Sequence, residues 1–277
     1  MAYTNFKPII WSKKIQHDLD KFMVFKDMCN TKFQGEAGRG KTVRIVGIQK
    51  PAVGTYTPGS SIGTPSTPAD NYLDLEINKY RFTNFMVDDI DDAQSHVDIM
   101  EHLMRGSASA LAEEADTTIA NTVATDASII SEGMVGSSTA ISNAGDAKAA
   151  VDAALVKLWE NGVKTGRDTT IVVSPWFYSA FKNDLTEILT NNVEMVNKGI
   201  FGMYNGIPVK MSNNVYNDGT DDYLFIAQKD AVAYASGIEE VEPYRPEGLF
   251  SDAVKVLHTY GVKVVRPEQI YILKVHS

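Results

Sequence analysis

Cysteine is almost missing from this sequence: Cys29 is the only one in 277 residues. A lone thiol excludes an internal disulfide, and without a CxxC pair there is no thiolate set for zinc or an iron–sulfur cluster. Long apolar runs are missing too. No stretch reaches the 18 uncharged apolar residues of a membrane span, and the opening MAYTNFKPIIWSKK lacks the apolar core of a signal peptide, so the chain reads as soluble, while the lone cysteine gives a lean towards the cytoplasm. No N-x-[ST] sequon occurs. Basic residues do not predominate: 26 Lys and Arg against 35 Asp and Glu leave a formal net charge of -9. That balance argues against a protein whose main work is to grip phosphate backbones, and the only basic concentration, Lys13, Lys14 and Lys21, is too sparse for a binding stripe.

What is present is enough apolar residue for a sizeable core, 44% of the chain. Residues 1–39 begin as an arm without period that carries Phe6, Trp11, Phe22 and Phe25. An arm with such side chains needs a surface to lie against, its own body or a neighbour's. TVRIVGI at 42–48 alternates as a strand, with Val43 and Ile45 on one face, and LDLEINKYRF from Leu73 alternates again. Between them, 13 of the 15 residues 54–68 are Gly, Pro, Ser or Thr. Such a tip cannot form a core, so the spacing predicts a long projecting hairpin over 40–85 whose edges are a hazard for a monomer and a docking element for an oligomer.

From Asp91 to about Thr125 the period becomes helical, with Val97, Met100, Met104, Leu111, Ala115, Ile119 and Val123 on one stripe and Asp91 or Asp92 as the cap. This helix is the spine of a segment 86–145. The next segment, 146–236, alternates helices and strands as an α/β domain. A helix opens at Asp146 and stops at Asn161-Gly162, the strand TTIVVS follows, and a helix begins at Pro175. Three short strands, NGIPVKMS, DYLFIA and AVAYA, complete it, the first placed at an edge by Pro208. In the last segment, 237–277, Val254, Val256, His258 and Tyr260 share one strand face, Pro267 breaks the run, and YILKV closes the chain. These final strands are expected to pack beside the spine as an α+β layer.

Chemistry is sparse. Gly35-Glu36-Ala37-Gly38-Arg39-Gly40-Lys41-Thr42 has the spacing of a phosphate-binding loop, which needs a strand before it and a helix after the lysine to aim amides at the phosphates. Here VRIVGI after it reads as a strand, so a nucleotide hydrolase using Lys41 and Thr42, with Asp88 as the magnesium partner, stands as the enzyme alternative. The plainer reading is a glycine-rich elbow. Asp88, Asp89, Asp91 and Asp92 lack the glycine and twelfth-position glutamate of a calcium loop and read as capping and acidic surface. His96 and His102 do not share a face, Asp98 and His102 form at most an i,i+4 pair, and His258 reads as a packed strand residue. No catalytic residue, metal ligand or cofactor site is assigned.

Taken in order, the arm, GKTVRIVGIQKPAVGTY, LDLEINKYRFTNFMVDDIDDAQ, the long helix, TTIVVSPWFYSAFKN, NGIPVKMSNNV and YGVKVVRPEQIYILKV resemble the major capsid proteins of tailed bacteriophages, the HK97-type fold family. The resemblance covers nearly the whole chain. It implies an α+β fold with a spine helix in a peripheral domain (86–145 with 237–277), an α/β axial domain (146–236) and an extended loop (40–85) laid over the adjacent subunit. It further implies pentamers and hexamers of an icosahedral shell around double-stranded DNA, scaffold and portal proteins as partners, no membrane, and a place in the virion after assembly in the host cytoplasm. An acidic balance suits a shell that must not hold its DNA tightly. Some members join an extended-loop lysine to a neighbour's asparagine; Lys41 and Lys50 lie in the right region, but no asparagine or glutamate matches, so that chemistry is not carried over. An encapsulin-like compartment shell is the alternative within the same fold.

Overall fold

The computed structural model describes residues 23–33, 42–48, 56–59, 61, 70–88, 99–142, 144–164, 166, 168–185 and 202–277. The spine helix α1, Ile99–Ala124, is 26 residues and so roughly 40 Å long. The stripe expected from the sequence is its buried side: Met104, Leu111, Ala115, Ile119 and Val123 are all inside. The expected caps Asp91 and Asp92, with Val97, lie outside the described residues. Ala124 is followed by a one-turn helix, α2 (Ala127–Ser131), whose Asp126 side chain accepts the Ser128 N–H at 2.9 Å.

The alternating segments form strands as their period requires. Strand β1 (Thr42–Ile48) pairs antiparallel with β2 (Asp70–Glu76), Thr42 opposite Glu76 and Ile48 opposite Asp70. The stretch from Leu73 onward is not one strand, however. It breaks at Ile77-Asn78, and β3 (Lys79–Asp88) leaves β1 to join a different sheet. That sheet has the order β10–β11–β3, where β10 is Val232–Tyr244 and β11 is Ser251–Val264. AVAYA is thus the start of a 13-residue strand, with a register shift between Ser236 and Glu239, and not a short strand of the α/β block. Val254, Val256, His258 and Tyr260 line the inner face, all buried, and α1 packs across β3 and β11. The Tyr260 hydroxyl donates to Thr118 Oγ1 at 2.9 Å and Arg81 pairs with Glu114 at 2.8 Å, tying sheet to helix at two levels.

The α/β block carries helix α3 (Ala144–Glu160) and helix α4 (Pro175–Leu185, proline first). Asp146 falls in the first turn of α3, not before it, and accepts the Ser142 N–H at 3.1 Å. The stop is as expected: Gly162 has φ 76°, and the Val163 N–H returns to the Leu158 carbonyl at 3.0 Å. The remaining strands are β4 (Thr139–Ala140), β5 (Thr169–Val173), β6 (Met203–Tyr204), β7 (Ile207–Met211), β8 (Tyr216–Asn217), β9 (Asp222–Gln228) and β12 (Ile270–His276). They form one mixed sheet in the order β4–β12–β9–β5–β7–β6, with β8 on β9. Every residue of β5 is buried, as are Tyr223 to Ala227 of β9, which fits two central strands covered on both faces. Pro208 faces only the two-residue β6 at the sheet's end.

The closing strand is the main departure. Although β11 lies on the spine as expected, β12 does not: the turn Pro267–Gln269 redirects the chain into the large sheet, where β12 pairs antiparallel with β9 and parallel with β4. The two sheets are therefore linked by continuous chain at both β9–β10 and β11–β12, and one apolar core runs from α1 through β9 and β5 to α3 and α4.

Candidate functional site

Of the groups considered for chemistry, Lys41 and the rest of its glycine-rich loop, Lys50, Asp89, Asp91, Asp92, His96 and Asp98 lie outside the described residues. Thr42 is the first residue of β1, in ladder with Glu76. A strand there aims its amides sideways at a neighbouring strand, so no helix N-terminus follows to cradle a phosphate. Asp88 ends β3 opposite Ser251, and His102 is exposed on α1. His258 is packed, its ring stacked on Tyr260 at 4.9 Å and its Nε2 3.4 Å from the Tyr234 hydroxyl. Among the described residues no cluster of three His, Cys, Asp or Glu side chains could hold a metal.

One serine–histidine–aspartate meeting was not foreseen. Ser138 Oγ donates to Asp221 Oδ1 at 2.7 Å, His276 Nδ1 is 2.9 Å from the same oxygen, and Ser138 Oγ is 3.1 Å from Nδ1. A nucleophilic triad needs the imidazole between the other two, one ring nitrogen for each. Here a single nitrogen faces both, so proton transfer from serine through the ring has no route. The trio fastens the end of β12 within the large sheet, joining the chain before β4 to the turn before β9. Nothing in the sequence separates these three residues from scattered polar surface, because the partners are 83 and 55 positions apart.

Of the two surfaces open to the N-terminal arm, the described part of it lies against its own body. Residues Phe25–Met28 form a 3-10 turn with Phe25, Met28 and Cys29 fully buried; Phe25 meets Phe225 of β9 edge-on at 5.6 Å. The Asn30 N–H donates to the Val232 carbonyl at 2.7 Å and the Asn30 carbonyl accepts from Tyr234. Asp116 of the spine, 2% exposed, receives the Val24 N–H at 2.7 Å and the Phe25 N–H at 3.2 Å. Burial pushes the Asp116 carboxyl up to about 7 against those two donors, and the nearby Asp27 pushes it the same way. Burial also pushes the Cys29 thiol up, far from reactivity.

What the molecule offers outward is apolar and aromatic surface. On the hairpin, Val43, Ile45 and Leu75 turn inward onto Ala233 and Ala235 with Phe33 and Val265, so its root is anchored to the body. Its outer face shows Val46, Tyr72 and Arg44; the guanidinium lies 4.2 Å over the Tyr72 ring and pairs with Asp74 at 2.9 Å, holding that carboxyl below the usual range. A groove of about 900 Å³ between hairpin and body is lined by Lys32, Arg44, Tyr72, Asp230, Arg266 and Glu268. On the three-stranded sheet, the face away from the spine shows Tyr80, Phe82 (75% exposed) and Met86 on β3, and Phe250 stands 81% exposed between β10 and β11. Monomeric surfaces rarely leave such aromatic groups together in water.

The family model described as phage capsid protein matches residues 72–273. Among solved structures, one from Mycobacterium phage Che8 is 29% identical, with 90% of each chain covered and a TM-score of 0.72. The capsid of the cyanophage P-SCSP1u is 14% identical over 92% of this chain and 88% of that one, TM-score 0.68. A virus-like particle from Pyrococcus furiosus is 13% identical over 96% and 98%, TM-score 0.60, a likeness of fold alone. No curated protein sequence matches. With a family match over most of its length and a spine helix crossing a three-stranded sheet, the chain belongs to the phage capsid protein family and is a structural shell subunit of the HK97-type fold.

Proposed function

We propose that many copies of this subunit close, as pentamers and hexamers, into an icosahedral shell around double-stranded DNA, with the extended loop of each copy lying over its neighbour. The observation that carries the neighbour contact is the pair of exposed apolar faces, Val46 and Tyr72 on the hairpin and Tyr80, Phe82 and Met86 on β3. Burying them in water-free contact is worth roughly 25 cal/mol per Å², and the shell repeats the gain at every copy. In this reading residues 1–39 form an arm, the chain from 40 to the end of β2 the loop, α1 with β10–β11–β3 a peripheral domain, and the large sheet with α3 and α4, β4 and β12 included, an axial domain. Scaffold and portal proteins are the expected partners, and assembly in the host cytoplasm precedes residence in the virion. The net charge of -9 suits an interior that releases its DNA. The family match favours a phage shell over an encapsulin-like compartment, and it leaves the nucleotide hydrolase without support.

Negative-stain microscopy of the purified protein, with scaffold supplied, is expected to reveal closed shells of uniform size. Compact single particles by light scattering across salt and pH would overturn the proposal. Deleting residues 54–68, which hold almost nothing apolar, is expected to leave the subunit folded but cut shell yield by roughly tenfold or more. Normal shells from the deletion would mean that the tip plays no part in assembly.

A further inference from the structure

Midway along the spine, a carboxylate is spent on holding down another part of the chain. Asp116 is buried, and both of its oxygens receive backbone N–H groups from residues 24 and 25, where the N-terminal segment enters the body. Both of those donors are neutral amides. Among the described residues, the charged groups that face it are Asp27 of the same 3-10 turn, of like sign, and Lys210 of β7, whose ammonium is engaged with Asp27. The other titratable neighbour among them is the buried Cys29 thiol, itself faced by Lys229. On the helix itself, Glu113 is exposed and Glu114 pairs outward with Arg81.

We propose that Asp116 is a proton-operated latch between the N-terminal segment and the spine helix: a proton on its carboxyl favours the docked segment, and loss of that proton favours local lifting of residues 24–29. The physical cause is the cost of a buried carboxylate held by neutral donors, which lifting relieves by admitting water. The direction follows from linkage. In the docked state the carboxyl titrates near 7, and once hydrated it returns towards 3.8, so the docked state binds more protons between those values. Docking is therefore strongest below the lower value, weakens as pH rises through the upper one, and is level beyond it. Acid holds the segment down, the reverse of what two hydrogen bonds to a carboxylate suggest at first sight.

Hydrogen–deuterium exchange on the intact chain tests this, with amides 24–29 compared at about pH 5.5 and about pH 8.5 after correction for intrinsic exchange and β9 as internal reference. Protection of 24–29 is expected to fall on the order of tenfold at the higher pH while β9 stays level. Asp116→Asn, which cannot ionise, is expected to flatten the profile. Asp27→Asn changes an exposed side chain, removes the repelling neighbour and frees Lys210, so it moves the midpoint to lower pH. A flat wild-type profile, or a slope retained in Asp116→Asn, overturns the latch; should that variant not fold, an unmoved midpoint in Asp27→Asn does so.

Discussion

Gly261→Ala is expected to destabilise the unassembled subunit by about 3 kcal/mol or more, read as a lowered urea midpoint. A Cβ on Gly261 would lie 2.3 Å from the Glu76 carbonyl oxygen, 2.9 Å from its carbon and 3.2 Å from Ile77 Cα. All three atoms are backbone, so no rotamer change relieves the clash. The position matters because Glu76 and Ile77 mark the place where the chain leaves β2 for β3, and β11 passes directly over that step. To make room for the added methyl group, either the β10–β11 pairing at Ala235 or the anchoring of Leu75 and Ile77 must yield. The extended hairpin would then lose its fixed exit from the body, which limited proteolysis around 77–78 reports independently. A midpoint within experimental error of wild type would mean that the two strands cross with room to spare.

Phe25→Ala is expected to cost about 3–5 kcal/mol of folding stability, the range for deleting a buried aromatic ring. Its ring is fully enclosed and meets Phe225 at 5.6 Å, so truncation leaves a cavity between the N-terminal segment and the central strand β9. The contrasting change is Phe82→Ala. That ring is 75% exposed, and its loss is expected to move folding stability by no more than about 0.5 kcal/mol. The pair separates two kinds of apolar residue that composition alone treats alike, one that holds the subunit together and one that the subunit presents to other molecules. Equal destabilisation by both would mean that Phe82 is covered within its own subunit.

Periodicity explains how much of this fold could be read in advance. The stripe of α1, the alternation of Thr42–Ile48 and of Val254 to Tyr260, the Pro175 helix start and the Asn161-Gly162 stop are all local patterns, and each is present in the structure. The misreadings arose where local pattern is silent about partners. Leu73, Leu75 and Ile77 alternate at odd positions and Tyr80 and Phe82 at even ones, a slip of phase at Asn78-Lys79 where the stretch passes from one sheet to the other; the pairing of each half is not recorded there, because a strand's period says which face is buried and not which strand lies beside it. YILKV is equally strand-like against the spine or beside β9; the turn at Pro267–Gln269 chose the latter. Asp116 reads as one more acidic residue on a helix, and only the arrival of residues 24 and 25 against it makes it a buried acceptor.

By itself, then, the sequence determined the element types, the order in which they follow and, through that order, the capsid family, since backbone period and capping depend on near neighbours along the chain. Tertiary structure alone decided which strands pair, that the N-terminal segment is built into the core, and which aromatic rings are left outside. Those outcomes depend on contacts between residues from 30 to 200 positions apart, as in Arg44 with Asp74 and Asn30 with Asp230, and no local pattern records such distances.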